Sequence, residues 1–190
     1  ALQALGVDTS RLDVVLMQMV RLMRDGEVIK ASKRSGKAIT LVTLLDEVPV
    51  DAARFLFNLR EPTSEIDFDL DLAVQQDSQN PVYYVQYAHA RICSMMKKLK
   101  EEENMVPRPC TEEELALLKA PEELELINIL SSYTDEIIDA AKELNPTRIT
   151  RYALSLASLF HKFYTACRIK GEEGHLAAAR LFLCHDTAIV

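Results

Sequence analysis

From Ile149 to Cys167 the apolar residues fall at helical intervals: Ile149, Tyr152, Leu156, Leu159 with Phe160, Phe163 and Cys167. Such spacing keeps them on one side of a helix, and a stripe this long must be buried against other elements. Asn145-Pro146-Thr147 supplies the start signal, so a helix is predicted over 147–168. Only 5 Gly and 7 Pro occur in 190 residues, and the Leu, Ala, Glu and Lys stretches between them favour helices. Further helices are expected at about 81–100, 112–119, 121–132, 134–144 and 174–190. A hydrophobic content of 48% supports a buried core.

The first 60 residues read differently. Arg11 to Met23 is dense in bulky apolar residues and suits a buried, parallel strand. Asp25-Gly26 turns the chain, Glu27-Val28-Ile29 makes a short strand, and Lys30 to Lys37 is a basic, glycine-containing loop. Thr40 can cap a short helix from Leu41 to Glu47, which Pro49 ends; Asp51 starts another through Leu59. Glu61 to Glu65 is a loop. Ile66 to Leu72 alternates apolar residues with Asp, as a short strand or a helix entry would. Two regions result, the end of an α/β nucleotide-binding domain to about residue 60 and a helical bundle from about 70. Glu101 to Cys110 reads as a charged, mobile connector. Ala1-Leu2-Gln3-Ala4-Leu5 resembles the tail of a cut helix and Ala177 to Val190 has no stop signal, so a fragment of a longer chain is expected.

Cysteines at 93, 110, 167 and 184 show no CxxC pairing, which fits reduced thiols in a cytoplasmic protein. No metal site is expected, because Cys184-His185 is the only Cys/His neighbour pair and adjacent helical positions diverge. No apolar run approaches the roughly 18 residues of a membrane span, and no signal peptide is visible. The net charge of −7 argues against nucleic acid only until it is located. Residues 61–80 hold six acidic side chains and no basic one, and 101–145 hold thirteen acidic against three basic. Residues 81–100 carry Arg91, Lys97, Lys98 and Lys100 with no acid at all, so a basic face survives for phosphate contact.

That basic run follows a helix start. Asn80 is a good N-cap and Pro81 suits the first helical position. Tyr83, Tyr84, Gln86, Tyr87, His89 and Arg91 then combine aromatics, amides and charge on one segment. Splayed RNA bases stack on aromatics and bond through their edges, while Arg and Lys take phosphates, so Tyr83, Tyr84, Gln86, Tyr87, Arg91, Lys97 and Lys98 are the RNA-binding candidates. The three tyrosines share one helical side, and at least one is expected in the core. Tyr152, His161, Lys162 and Arg168 form a weaker second set, with His161 read as a packing residue. In the loop, Lys30, Lys33, Arg34 and Lys37 put four cations beside Gly36, which could close over a polyphosphate. It is not a P-loop, since Ala stands at 31 and 38, and a solvated basic turn is the plainer reading of the residues.

Four segments in register resemble the class I arginyl-tRNA synthetases: Lys30 to Gly36, Val50-Asp51-Ala52-Ala53-Arg54-Phe55, Asp67 to Leu72, and Asn80 to Cys93. The resemblance implies a mostly α fold, a helical-bundle anticodon-binding domain at 61–190 preceded at 1–60 by the C-terminal remnant of a class I α/β nucleotide-binding domain. It implies that Lys30, Ser32 and Lys33 belong to a Lys-Met-Ser-Lys-Ser-like loop that, with Arg34 and Gly36, holds the pyrophosphate of ATP. Ala31 departs from that signature, where Met is usual. It implies a parent reaction using arginine, ATP with Mg2+, and tRNA, a monomeric state, and no ligation by the fragment alone. The segment at 50–55 is expected to join the two domains, with Arg54 paired to an Asp of the 67–71 run. Other readings are a non-catalytic helical RNA-binding module, a helical protein without an RNA role, and a fragment of another class I synthetase such as the cysteinyl enzyme.

Overall fold

In a computed structural model that describes residues 2–29 and 40–190, the chain begins with a single 3₁₀ turn at Gln3–Leu5 and another at Thr9–Arg11. The first strand, β1, runs only over Val20–Arg24. Upstream, residues 12–19 form no helix or strand, and Leu12, Val14, Val15, Leu16, Met17 and Met19 are exposed. The buried strand expected from Arg11 is therefore shorter than its apolar run. Among the described residues nothing covers the preceding segment on either face.

Strand β1 continues through Asp25 and Gly26 into β2 (Glu27–Val28), its antiparallel partner. Both turn residues have positive φ, 53° and 75°, as a tight hairpin needs, and Asp and Gly are residues that tolerate it. Two short helices follow, α1 (Leu41–Glu47) and α2 (Val50–Phe57). Thr40 caps α1 through Thr43 N–H, as the sequence predicts. Strand β3 (Ile66–Asp69) then pairs with β1 in parallel and completes a sheet of order β2-β1-β3. Arg21 and Asp67, directly opposite in that register, form a bidentate pair at 2.7 and 3.2 Å.

The chain leaves β3 straight into α3 (Leu70–Val74), so the alternating Asp segment is a strand and a helix entry together. Asp69 caps α3 by accepting from the N–H groups of Asp71 and Leu72, and Asp71 accepts from Asp25 N–H. With Asp67 on Arg21, the run is committed to pairing and capping. Arg54 is exposed, and among the described residues it forms no ion pair with this run. Of the three candidate partners, Asp67 is taken by Arg21, which strand register sets opposite it, and Asp69 and Asp71 accept backbone N–H groups. Ala52 and Ala53 are buried, and their small side chains let α2 lie close to its neighbours.

Six helices make up the rest: α4 (Pro81–Glu103), α5 (Glu112–Leu115), α6 (Pro121–Ser131), α7 (Tyr133–Lys142), α8 (Thr147–Ala166) and α9 (Gly174–Ile189). Helix α4 outruns its expected end and stops at Asn104, whose left-handed φ of 53° suits Asn as a C-cap. The segment after it is tied down by Arg108, bonded to Glu114, and by Met105 and Cys110, packed against the core. Helix α7 ends two residues early because Leu144 turns left-handed and Asn145 N–H closes back onto Ala140 O at 2.9 Å.

Two apolar clusters result. One joins Leu44, Val48, Ala52, Ala53, Leu56, Ile66, Phe68, Leu70, Ala73 and Val82. The other is built on α8, whose Tyr152, Leu156, Phe160, Phe163 and Cys167 are all buried, with Ile92, Leu99, Leu126 and much of α9 around it. The stripe read from sequence is thus the axis of the larger core. Strand β3 and α3 pack with the first cluster.

Candidate nucleic-acid interface

Asn80, 3% exposed, fixes the start of α4. Its side chain accepts from Val82 N–H at 3.0 Å and donates to Gln75 O at 2.8 Å and Ala73 O at 3.4 Å. This cap, three residues before Tyr83, fixes where α4 begins. Tyr84 turns inward and is half-buried against the larger core, edge-on to His161 of α8 at 5.0 Å. None of the three tyrosines is fully buried, so the expectation of a core tyrosine is met only by that half-burial.

Tyr83 and Tyr87, one turn apart, stack with centroids 6.0 Å apart and planes within 10°. Tyr87 is 43% exposed. One further turn on, the Arg91 guanidinium lies 4.6 Å from the Tyr87 ring and 4.9 Å from the Tyr164 ring of α8. Its Nη2 donates to Tyr87 Oη at 2.6 Å and its Nη1 lies 3.3 Å from His161 Nδ1. A guanidinium only donates, so Nδ1 must accept and His161 is neutral with its proton on Nε2. Burial, then the neighbouring Arg91 charge, pushes the His161 pKa down, in agreement. The sequence places His161 correctly as a packing residue, one that packs onto the tyrosines.

Beyond Arg91 an open groove of about 620 Å³ runs between α4 and the end of α8. Ala90, Met95 and Leu99 give it an apolar floor, while Tyr87, Arg91, Lys98 and Lys170 line it with aromatic and basic groups. Lys170 is held by Glu102 across the groove. Lys97 and Lys98 are exposed, and among the described residues Lys97 pairs only with the distant Glu101, at 3.9 Å. Surface pairs of that kind are worth little and leave a lysine available to an anion.

The remaining candidates divide. Gln86 is exposed and donates to Asp51 of α2, which ties the tyrosine helix to the 50–55 segment. Tyr152 is buried, donates to Ile129 O at 2.9 Å, and has its pKa pushed up to about 12 by burial, with Tyr133 and Glu136 adding to it. That hydroxyl is committed to the core. Lys162, paired with Glu125 at 3.8 Å, and Arg168 are exposed. Lys30, Ser32, Lys33, Arg34, Gly36 and Lys37 lie outside the described residues.

Sequence reasoning missed Tyr164, Lys170 and Glu102. Each is one exposed residue on its own helix face or loop, and only folding α8 against α4 makes the set visible. The spacing of Tyr87 and Arg91, four apart on a helix, was the one local sign. Among the described residues no group of three or more His, Cys, Asp or Glu side chains could hold a metal ion, and no helix is long and apolar enough to cross a membrane.

The family model described as the DALR anticodon binding domain matches residues 85–190. Arginine–tRNA ligase of Acetivibrio thermocellus is 53% identical over 190 residues, all of this chain and 34% of the relative. That of Caldanaerobacter subterraneus is 55% identical over 183 residues, 96% of this chain and 32% of the relative. The chain thus spans about a third of the length of the curated relatives it matches. Among solved structures, an arginyl-tRNA synthetase from Campylobacter jejuni superposes with a TM-score of 0.71 at 28% identity, over 99% of this chain and 40% of that one. The Thermus thermophilus arginyl-tRNA synthetase gives 0.69 at 22% identity, over 88% and 31%, a likeness of fold.

Proposed function

Because the chain belongs to the DALR anticodon binding domain family, we propose that it is the tRNA-binding portion of an arginine–tRNA ligase. The observation that carries this reading is the Tyr83–Tyr87 stack, Tyr83 part-buried and Tyr87 exposed, at the start of a basic helix, beside a groove lined by Lys98 and Lys170. Aromatic faces accept unstacked bases and lysines accept phosphates, which is the division of labour that single-stranded RNA requires. The parent reaction would join arginine to tRNA with ATP and Mg2+ as co-substrate. In it Lys30, Ser32 and Lys33, with Arg34 and Gly36, would face the pyrophosphate of ATP, an assignment that rests on the resemblance of this loop to the class I signature. Residues 1–60 would be the end of the catalytic α/β domain and 61–190 the helical domain, with β3 and α3 packed back across that junction. The fragment alone would not ligate arginine.

Equilibrium binding of unmodified arginine tRNA to Lys97→Ala/Lys98→Ala tests the assignment. If both lysines meet phosphates, the double variant binds more weakly and its logarithmic salt slope falls by about two, one per contact. An unchanged slope removes these lysines from the interface.

A further inference from the structure

We propose that Arg91 is a positioning residue, one that holds the tyrosines flat as a stacking platform and contacts no phosphate. The proposal rests on reading α4 as an RNA-facing helix. Its basis is where the guanidinium spends its donors and faces. One terminal nitrogen is bonded to Tyr87 Oη at 2.6 Å and the other faces His161 Nδ1 at 3.3 Å. The same carbon centre lies against the rings of Tyr87 and Tyr164, 4.6 and 4.9 Å away, on two different helices. Arg91 is half-buried there, whereas Lys97 and Lys98 extend into solvent. A phosphate drawn to Arg91 would compete with all four contacts; one drawn to the lysines displaces water and at most a weak pair.

The consequence is mechanical. Tyr87 is held by its contacts with Tyr83 and Arg91, and Arg91 is fixed by α8 through His161 and Tyr164. The ring pair therefore reaches RNA with its side-chain entropy already lost, which strengthens binding without a new contact. Lysine cannot substitute. Its ammonium is a point charge without the planar fork that spans a hydroxyl, an imidazole and two rings.

The test uses the full chain with Arg91→Lys, Arg91→Ala and Tyr164→Leu, each checked for folding by far-UV circular dichroism. Two readouts follow: the near-UV tyrosine bands of the free protein, clean because the chain has no Trp, and the salt dependence of arginine tRNA binding. Expected are altered tyrosine bands in all three, and binding weakened in all three on the order of tenfold with the salt slope unchanged. Arg91→Lys should be no better than Arg91→Ala. The proposal is overturned if Arg91→Lys binds like the wild type, or if Arg91→Ala lowers the slope by about one and Arg91→Lys restores it. If the wild-type chain does not bind RNA, the RNA reading fails; the tyrosine bands then decide the platform separately, and unchanged bands overturn it.

Discussion

Thr150 of α8 donates its hydroxyl to the carbonyl of Asn58, 2.7 Å away across 92 residues of sequence. Thr147 does the same for Arg60 O at 2.8 Å, and Glu61 receives Asn145 Nδ2 at 2.6 Å and Arg151 at 2.8 Å. The start of α8 thus grips residues 58–61 through polar groups, between the two apolar clusters. Thr147 and Thr150 are buried, while Asn58 is half-buried and Arg60 exposed, so the bonds are part-buried and their loss costs chiefly the hydrogen bond itself. The same helix carries His161 and Tyr164 further along, so the grip and the tyrosine platform share one rigid element.

Thr150→Val, nearly isosteric, should cost about 1 kcal/mol in urea unfolding, the net worth of a lost hydrogen bond. Thr147→Val should cost a similar amount. A change within about 0.5 kcal/mol, the range of ordinary surface substitutions, would mean that the segment at 58–61 is held by other contacts.

Glu123 and Arg180 form a buried pair, 1% and 11% exposed at the side chain, with Nε donating to Oε1 at 2.6 Å. The other carboxylate oxygen accepts from Ala120 N–H at the start of α6, and Arg180 also donates to Arg168 O. Arg180→Met leaves a carboxylate without its counter-charge and should destabilise by about 3–5 kcal/mol. Adding Glu123→Leu should recover part of that loss, since two apolar residues strand no charge. Failure of the second change to recover anything would show that Glu123 matters chiefly as the cap of α6.

Glu114 sets a pH dependence. Bonds from Arg108, then His175, then Thr111 N–H hold its carboxyl far below the usual range. Its contribution is complete above its unfolded value of about 4.5 and is lost as pH falls below that. Glu114 in turn raises the pKa of His175, whose contribution is complete below about 6.5 and is lost as pH rises through the higher folded value. Stability should therefore fall at both ends, with Glu114→Gln flattening both, and His175→Ala removing the alkaline limb and shrinking the acid one, since His175 is one of the groups that lower Glu114. An acid limb unchanged in Glu114→Gln would contradict this.

The thiols should react in the order of their burial. Cys93 is exposed and Cys110 partly so, while Cys167 and Cys184 are buried, and burial pushes the thiol of Cys184 far up. At neutral pH a thiol reagent should modify Cys93 readily, Cys110 more slowly, and the other two only on unfolding. Prompt reaction of all four would mean that α9 opens from α8.

The local signals were legible. Thr40, Asn80 and Pro81 start helices where their chemistry says they should, and the α8 stripe is the core axis. The segment at 12–19 was not, because its composition is that of a buried strand while the elements that would bury it are not among those described. The sequence offers Arg54 an Asp of the 67–71 run as partner, since composition gives charges without register. The sequence does not single out Glu114 and Glu123, because their partners His175 and Arg180 lie about sixty residues on, beyond any local pattern. The site was half legible for the same reason. Tyr83, Tyr87 and Arg91 share one helix face and could be read together, whereas Tyr164 and Lys170 join them only through the packing of α8 on α4.

The most direct measurement is equilibrium binding of unmodified arginine tRNA to this chain at low and moderate salt, beside the same tRNA with an altered anticodon. An RNA-reading α4 surface predicts salt-sensitive binding that weakens when the anticodon is changed. Absence of binding at low salt, from a chain shown to be folded, would contradict it.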